Sequence, residues 1–83
     1  MKVRVRYFAS IREALGAGET LDLPAGATVA LARAALIERG GAHAAALAHG
    51  KALRHALDQV LCDASAGLTE GAELAFFPPV TGG

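Results

Sequence analysis

Lys2-Val3-Arg4-Val5-Arg6-Tyr7-Phe8 alternates without a break between two kinds of position, and its reading decides the fold. A period of two puts Val3, Val5 and Tyr7 on one face of a strand and Lys2, Arg4, Arg6 and Phe8 on the other. One face predicts a core, the other a wet surface carrying a phenylalanine. Downstream, Glu19-Thr20-Leu21-Asp22-Leu23-Pro24 repeats the alternation with Leu21 and Leu23 inward, and Pro24 stops the strand because it cannot donate to a ladder. Gly16 and Gly18 punctuate the connection, so an antiparallel hairpin is expected.

After the Ala25-Gly26 turn, Thr28 is the expected N-cap of a helix over 29–39, which Gly40-Gly41 stops. Val29, Ala32, Leu36 and Ile37 share one face of it, with Arg33 and Glu38 turned away. Leu31 stands where a capping box would need Glu, so the start rests on Thr28 alone. Residues 42–57 are alanine-rich and broken by Gly50; they are read as a short helix at about 42–48 and a strand somewhere in 53–62. Turns at Ser65-Ala66-Gly67 and Thr69-Glu70-Gly71 lead to a last strand, Glu73-Leu74-Ala75-Phe76-Phe77, halted by Pro78-Pro79.

Parity extends to that last strand. With Leu74 and Phe76 in the core, Ala75 and Phe77 share the open face with Phe8. Leu61 joins them if Val60 and Cys62 point inward. An exposed phenylalanine pair on a charged sheet marks an interface, unless a bulge turns one ring inward.

A chain of 83 residues makes one domain, and folding at this size removes only about 60% of the unfolded surface from water. A large enclosed catalytic cavity is therefore not expected; an active site has to be shallow, terminal or shared with a partner. Eight Lys and Arg balance eight Asp and Glu, which gives no field to hold a nucleic acid. Lys2, Arg4, Arg6 and Arg12 do form a local basic stripe, read as a solvated sheet face. The single cysteine, Cys62, excludes an internal disulfide and a multi-thiolate metal site, and it fits a reducing compartment. Charge interrupts the first residues and no apolar run approaches about 20, so neither a secretory signal nor a membrane span is expected, and the location is expected to be cytoplasmic.

The most unusual feature is the end, Phe76-Phe77-Pro78-Pro79-Val80-Thr81-Gly82-Gly83. The prolines favour polyproline II at about 3.1 Å per residue, so the six residues after Phe77 can reach roughly 18 Å beyond the sheet. Residues 1–77 are thus expected to form the domain and 78–83 a projecting arm. Diglycine enters channels too narrow for a Cβ. The chemistry left to it is the α-carboxylate, ionised and a poor electrophile at neutral pH, which an acyl adenylate would activate and a sulfur nucleophile would convert to a thiocarboxylate.

Three blocks carry a resemblance over nearly the whole chain: Phe8-Ala9-Ser10-Ile11-Arg12-Glu13-Ala14-Leu15-Gly16, then Thr28-Val29, then Leu68 through Gly83. Together they resemble the small, sulfur-carrying subunits of molybdopterin synthase. The resemblance implies an α+β, ubiquitin-like β-grasp fold, a mixed sheet of four to five strands on one main helix plus a short one. It implies that an adenylyltransferase resembling the ubiquitin-activating type adenylates Gly83 with ATP and magnesium, that a persulfide donor makes the thiocarboxylate, and that Gly82 is the flexible neighbour. It implies insertion of the tail into a large synthase subunit within a heterotetramer, where sulfur passes to cyclic pyranopterin monophosphate and where the catalytic acids and bases reside. Phe8, Leu61 and Phe77, with Pro78, Pro79, Val80 and Thr81, match contact positions; Arg12 matches an arginine whose role stays open. No cofactor or metal is implied for this chain itself. The departure is Leu57-Asp58-Gln59-Val60, where the family commonly has an Asn-containing turn.

Other residues invite blander readings. Cys62 reads as a core thiol, since free Cys is among the most buried residue types. His43, His49 and His55 recur every six residues, which does not gather them into a metal site. Gly40-Gly41 ends a helix, the wrong polarity for an anion loop. Two other function classes stand beside the synthase subunit: a sulfur carrier for another pathway, such as the thiamin type, or a ubiquitin-like modifier; and a plain β-grasp binding module with an accidental diglycine.

Overall fold

The alternation of residues 2–7 becomes β1 (Lys2–Tyr7), buried at every second residue in a computed structural model that describes residues 1–79. The chain continues as α1 (Ala9–Leu15), β2 (Gly18–Asp22), α2 (Val29–Ile37), α3 (Gly41–Leu47), β3 (Arg54–Leu57), β4 (Val60–Cys62) and β5 (Glu73–Phe77). One mixed sheet has the order β2-β1-β5-β3-β4, with β1 parallel to β5 and all other neighbours antiparallel. This is the expected β-grasp architecture. Helices cover one face: Val3, Val5, Tyr7, Leu74 and Phe76 of the sheet pack with Ile11, Val29, Ala32, Leu36 and Leu47 in one core. Phe76 sits at its centre, its ring 6.4 Å from Tyr7 and edge-on to His55 at 6.0 Å.

The local signals behind most elements act as expected. Thr28 Oγ1 accepts from the Leu31 N–H at 3.3 Å and starts α2. Gly40, at φ 72, ends that run and also opens α3, so the diglycine is a hinge between two helices and not only a stop. Gly18 is required by crowding, since a Cβ there would lie 2.3 Å from the Val5 carbonyl oxygen.

Three expectations are corrected. The β1–β2 pair is antiparallel as expected, but its connection is a helix and not a loop: α1 fills it and buries Ile11 under the sheet. Its N-cap is Phe8, which offers no side-chain acceptor, so the usual start signal is missing; Gly16 closes it by donating to the Arg12 carbonyl at 2.8 Å. The region 53–62 is not one strand but the β3–β4 hairpin, turning at Asp58 (φ 48) and Gln59 (φ 69). Left-handed dihedrals at both turn residues are normally announced by Asn-Gly, and neither residue stands here. Arg33 does not point away from the packed helix face. It is half-buried, and its guanidinium donates to the carbonyls of Leu47 (2.8 Å), Ala48 and Lys51 (2.9 Å), satisfying the last turn of α3.

Glu19 ties the layers together at the other edge. Its carboxylate accepts from the Tyr7 hydroxyl at 2.6 Å, faces His43 Nε2 at 2.8 Å and pairs with Arg39. Burial alone would raise its pKa, but hydrogen bonds from Tyr7, His43 and Arg39 outweigh it and lower the carboxyl to about 2. Burial, then the Glu19 hydrogen bond, pushes the Tyr7 phenol well above its ordinary value.

Candidate docking face and C-terminal arm

The face of the sheet away from the helices carries the alternate residues of the same strands. Strand register makes it a grid: Arg4 lies beside Glu73, Arg6 beside Ala75, Ala75 beside Ala56, and Ala56 beside Leu61, while Phe77 lies beside Arg54. Phe8 directly follows β1 in extended conformation and donates its N–H to the Phe76 carbonyl at 3.2 Å, which sets its ring next to that grid. Phe8 and Phe77 line one shallow depression of about 460 Å³, floored by Ala56 and Ala75 and bordered by Arg6 and Gln59.

The expected site residues fall as follows. Phe8 is 38% exposed and Phe77 half-buried, so parity placed both on the open face. Leu61, 61% exposed, is on that face as well, two strands across from Ala75 and outside the depression that the two rings share. The condition attached to Leu61 is met: Val60 and Cys62 pair with Leu57 and His55 on the helix side, Cys62 packing against the core while Val60, at the edge strand, is 68% exposed. Pro78 is half-buried and Pro79 exposed at the end of β5. Val80, Thr81, Gly82 and Gly83 lie outside the described residues. Among the described residues Arg12 makes no ion pair.

The charged members of the face were less legible. Glu73 Oε1 lies 3.7 Å from Arg6 and 3.9 Å from Arg4, so two guanidiniums share one carboxylate. The Arg6 guanidinium also sits 5.5 Å from the Phe8 ring centroid, a cation–π distance. Arg54 is exposed beside Phe77. Parity would have found Arg54 and Ala56, had the boundaries of β3 been readable.

The model of the ThiS family matches residues 5–83. The chain belongs to the ThiS family. It is 40% identical to the molybdopterin synthase sulfur carrier subunit of Escherichia coli K12, over 98% of this chain and 99% of that one. Its structure is similar to SAMP1 from Haloferax volcanii, with a TM-score of 0.80 at 26% identity over the full length of both. It is also similar to a chain in the complex of subunits 1 and 2 of the molybdopterin-converting factor from Helicobacter pylori 26695, with a TM-score of 0.69 at 28% identity over the full length of both.

In this ThiS-family chain Cys62 is a half-buried thiol, and burial first, then the Asp63 carboxylate, raises its pKa, which keeps it protonated and a weak nucleophile at neutral pH. His43 is engaged by Glu19, and His55 Nδ1 lies 3.2 Å from the Cys62 carbonyl oxygen. Among the described residues no three His, Cys, Asp or Glu side chains gather as a metal site, and no helix is long and apolar enough to cross a membrane.

Proposed function

We propose that this chain is the sulfur-carrying small subunit of molybdopterin synthase, and that its working atom is the carbonyl carbon of Gly83. One observation carries the reading. Strand β5 ends at Phe77, on the exposed aromatic face, and the six residues Pro78 to Gly83 follow directly, so a partner seated on that face has the terminal carboxylate within reach. Full-length similarity to a sulfur carrier subunit supports it.

In this proposal residues 1–77 are the folded grip and 78–83 the arm. A carboxylate oxygen of Gly83 attacks the α-phosphorus of ATP, held with magnesium in an adenylyltransferase resembling the ubiquitin-activating type, and pyrophosphate leaves. A persulfide sulfur then attacks the acyl carbon and AMP leaves; a thiol reductant cleaves the acyl disulfide to the thiocarboxylate. Phe8, Leu61 and Phe77 seat the chain on the large subunit, and Pro78, Pro79, Val80 and Thr81 lead Gly82 and Gly83 into its pocket. There sulfur passes to cyclic pyranopterin monophosphate, twice for each dithiolene, and water restores the Gly83 carboxylate. The acids and bases belong to the large subunit of a heterotetramer; this chain is the non-catalytic sulfur donor, binds no cofactor of its own and works in the cytoplasm.

The test is intact mass. Incubating the full chain with an activating enzyme, ATP, magnesium and a persulfide donor should add about 16 Da, one oxygen exchanged for sulfur. Adding the large subunit and its substrate should reverse the change as molybdopterin appears. A chain lacking Gly83 should fold normally, because an exposed terminus contributes little to stability, and should donate no sulfur. Molybdopterin formation by the truncated chain would overturn the proposal. The likeness to the small archaeal modifier protein 1 of Haloferax volcanii favours a second reading, protein modification; attachment to lysines would produce cross-linked species of much higher mass in the same experiment.

A further inference from the structure

We infer that the open face selects its partner by charge as well as by apolar fit: the surface that covers Phe8 and Phe77 presents carboxylates to Arg6 and Arg54. This rests on the docking role given to the face above, and it adds the chemistry of the surface that docks.

The apolar centre is flanked on both sides by cations. Arg6 lies over Phe8 from β1, and Arg54 stands beside Phe77 from β3. The acidic side chain that lines the depression is Glu73. Glu73 is shared by Arg4 and Arg6 at 3.9 and 3.7 Å. Asp58 accepts from the Glu73 N–H at 3.0 Å and Asp63 from the Ser65 N–H at 2.9 Å in the turn after β4; both keep their charge but lie outside the depression that the two rings share, and Asp22 pairs with Lys2 at 3.4 Å. Arg54 makes no ion pair among the described residues. Around the depression itself the guanidiniums of Arg4, Arg6 and Arg54 thus stand against the carboxylate of Glu73, a local positive excess in a chain of zero net charge.

The same field decides among occupants. A second copy is disfavoured, since a two-fold pairing sets this patch against itself and brings arginines against arginines. Single-stranded nucleic acid would use Phe8 and Phe77 as stacking platforms, yet Phe77 is half-buried and Glu73 sits between Arg4 and Arg6, against a phosphate track. A protein surface with an apolar pocket flanked by Asp or Glu satisfies both halves of the patch. Exposed rim charges act mostly on encounter, so the effect belongs in the association rate.

The experiment is stopped-flow association of the full chain with the purified large synthase subunit across a salt series. For the wild type the rate should fall about tenfold or more from low to high salt. Arg54→Glu and Arg6→Gln, with unchanged circular dichroism, should each slow association at low salt and flatten its salt dependence while changing dissociation little. Arg54→Gln is the milder variant should Arg54→Glu disturb the hairpin. Unchanged rates and salt slopes in Arg54→Glu and Arg54→Gln, with binding still weakened by Phe77→Asp, overturn this inference alone. Binding undiminished by Phe77→Asp overturns the docking reading itself. A wild-type chain that sediments as a dimer dispersed by Phe77→Asp, or that binds a uridine dodecamer through Phe8, also overturns it.

Discussion

The two faces of this sheet are built from the same strands and the same alternation, yet they do opposite work. On the inner face Val3, Val5, Tyr7, Leu74 and Phe76 are fully or almost fully buried beneath the helices. On the outer face their neighbours Arg4, Arg6, Ala75 and Phe77, joined by Phe8, meet no second layer. Adjacent phenylalanines, Phe76 and Phe77, fall on opposite sides of that division. The difference teaches that in a domain this small one face suffices for folding, and aromatic area on the other is free for association.

That division breaks most sharply at the pair itself. Phe76→Ala should cost about 3 to 5 kcal/mol of stability, since it empties a fully buried ring from the core centre. Phe77→Asp should leave the melting temperature nearly unchanged and weaken association with the large subunit by about 30-fold or more. Thermal denaturation and titration calorimetry on both variants check the contrast. Equal stability losses would place Phe77 in the core and dissolve the comparison.

A smaller effect sharpens the inner side. Glu19 sits in the layer beneath the helices with a carboxyl lowered to about 2 by the hydrogen bonds that outweigh its burial, against an ordinary value of 4.5. A depressed folded-state pKa means stability that is present above the unfolded value and lost as pH falls through the folded one. The wild type should therefore lose about 1 to 3 kcal/mol between pH 4.5 and 2 through this group. Glu19→Gln should be less stable at neutral pH and show a flatter acid limb. An acid limb of unchanged slope would show that Tyr7, Arg39 and His43 are held by packing and not by the carboxylate.

What the sequence revealed divides along physical lines. Strands β1 and β5 and helix α2 were readable because each carries its own repeating pattern, and two of them carry boundary signals as well: Pro78 after β5, and Thr28 before and Gly40 after α2. The helix α1 was hidden because it is two turns long and starts at Phe8 without a capping side chain. The inward position of Glu19 follows from its parity with Leu21 and Leu23, but charge argued the other way, and only the tertiary meeting of Tyr7, Arg39 and His43 resolves that conflict. Arg33 is the same case on a helix. Phe8 and Phe77 were placed by parity alone, whereas Arg54 waited on the limits of β3, which the alanine-rich segment before it conceals.

The smallest expected effect separates the two faces at their shared edge. Gln59 occupies a left-handed turn position, φ 69, and its side chain borders the outer depression without entering the core. A non-glycine residue there carries a steric cost of about 1 kcal/mol that glycine does not. Gln59→Gly also loosens the unfolded chain, which offsets part of the gain, so a net stabilisation of about 0.5 kcal/mol is expected. Removing the side chain takes away one border of the depression while leaving Phe8, Phe77 and both arginines in place. Folding and docking should therefore move independently: a slightly higher urea midpoint with an unchanged slope, and a large-subunit affinity altered less than about threefold. A fall in the midpoint would mean that Gln59 supports the β3–β4 hairpin through contacts of its own, and the outer face would then contribute to the fold it is described as standing apart from.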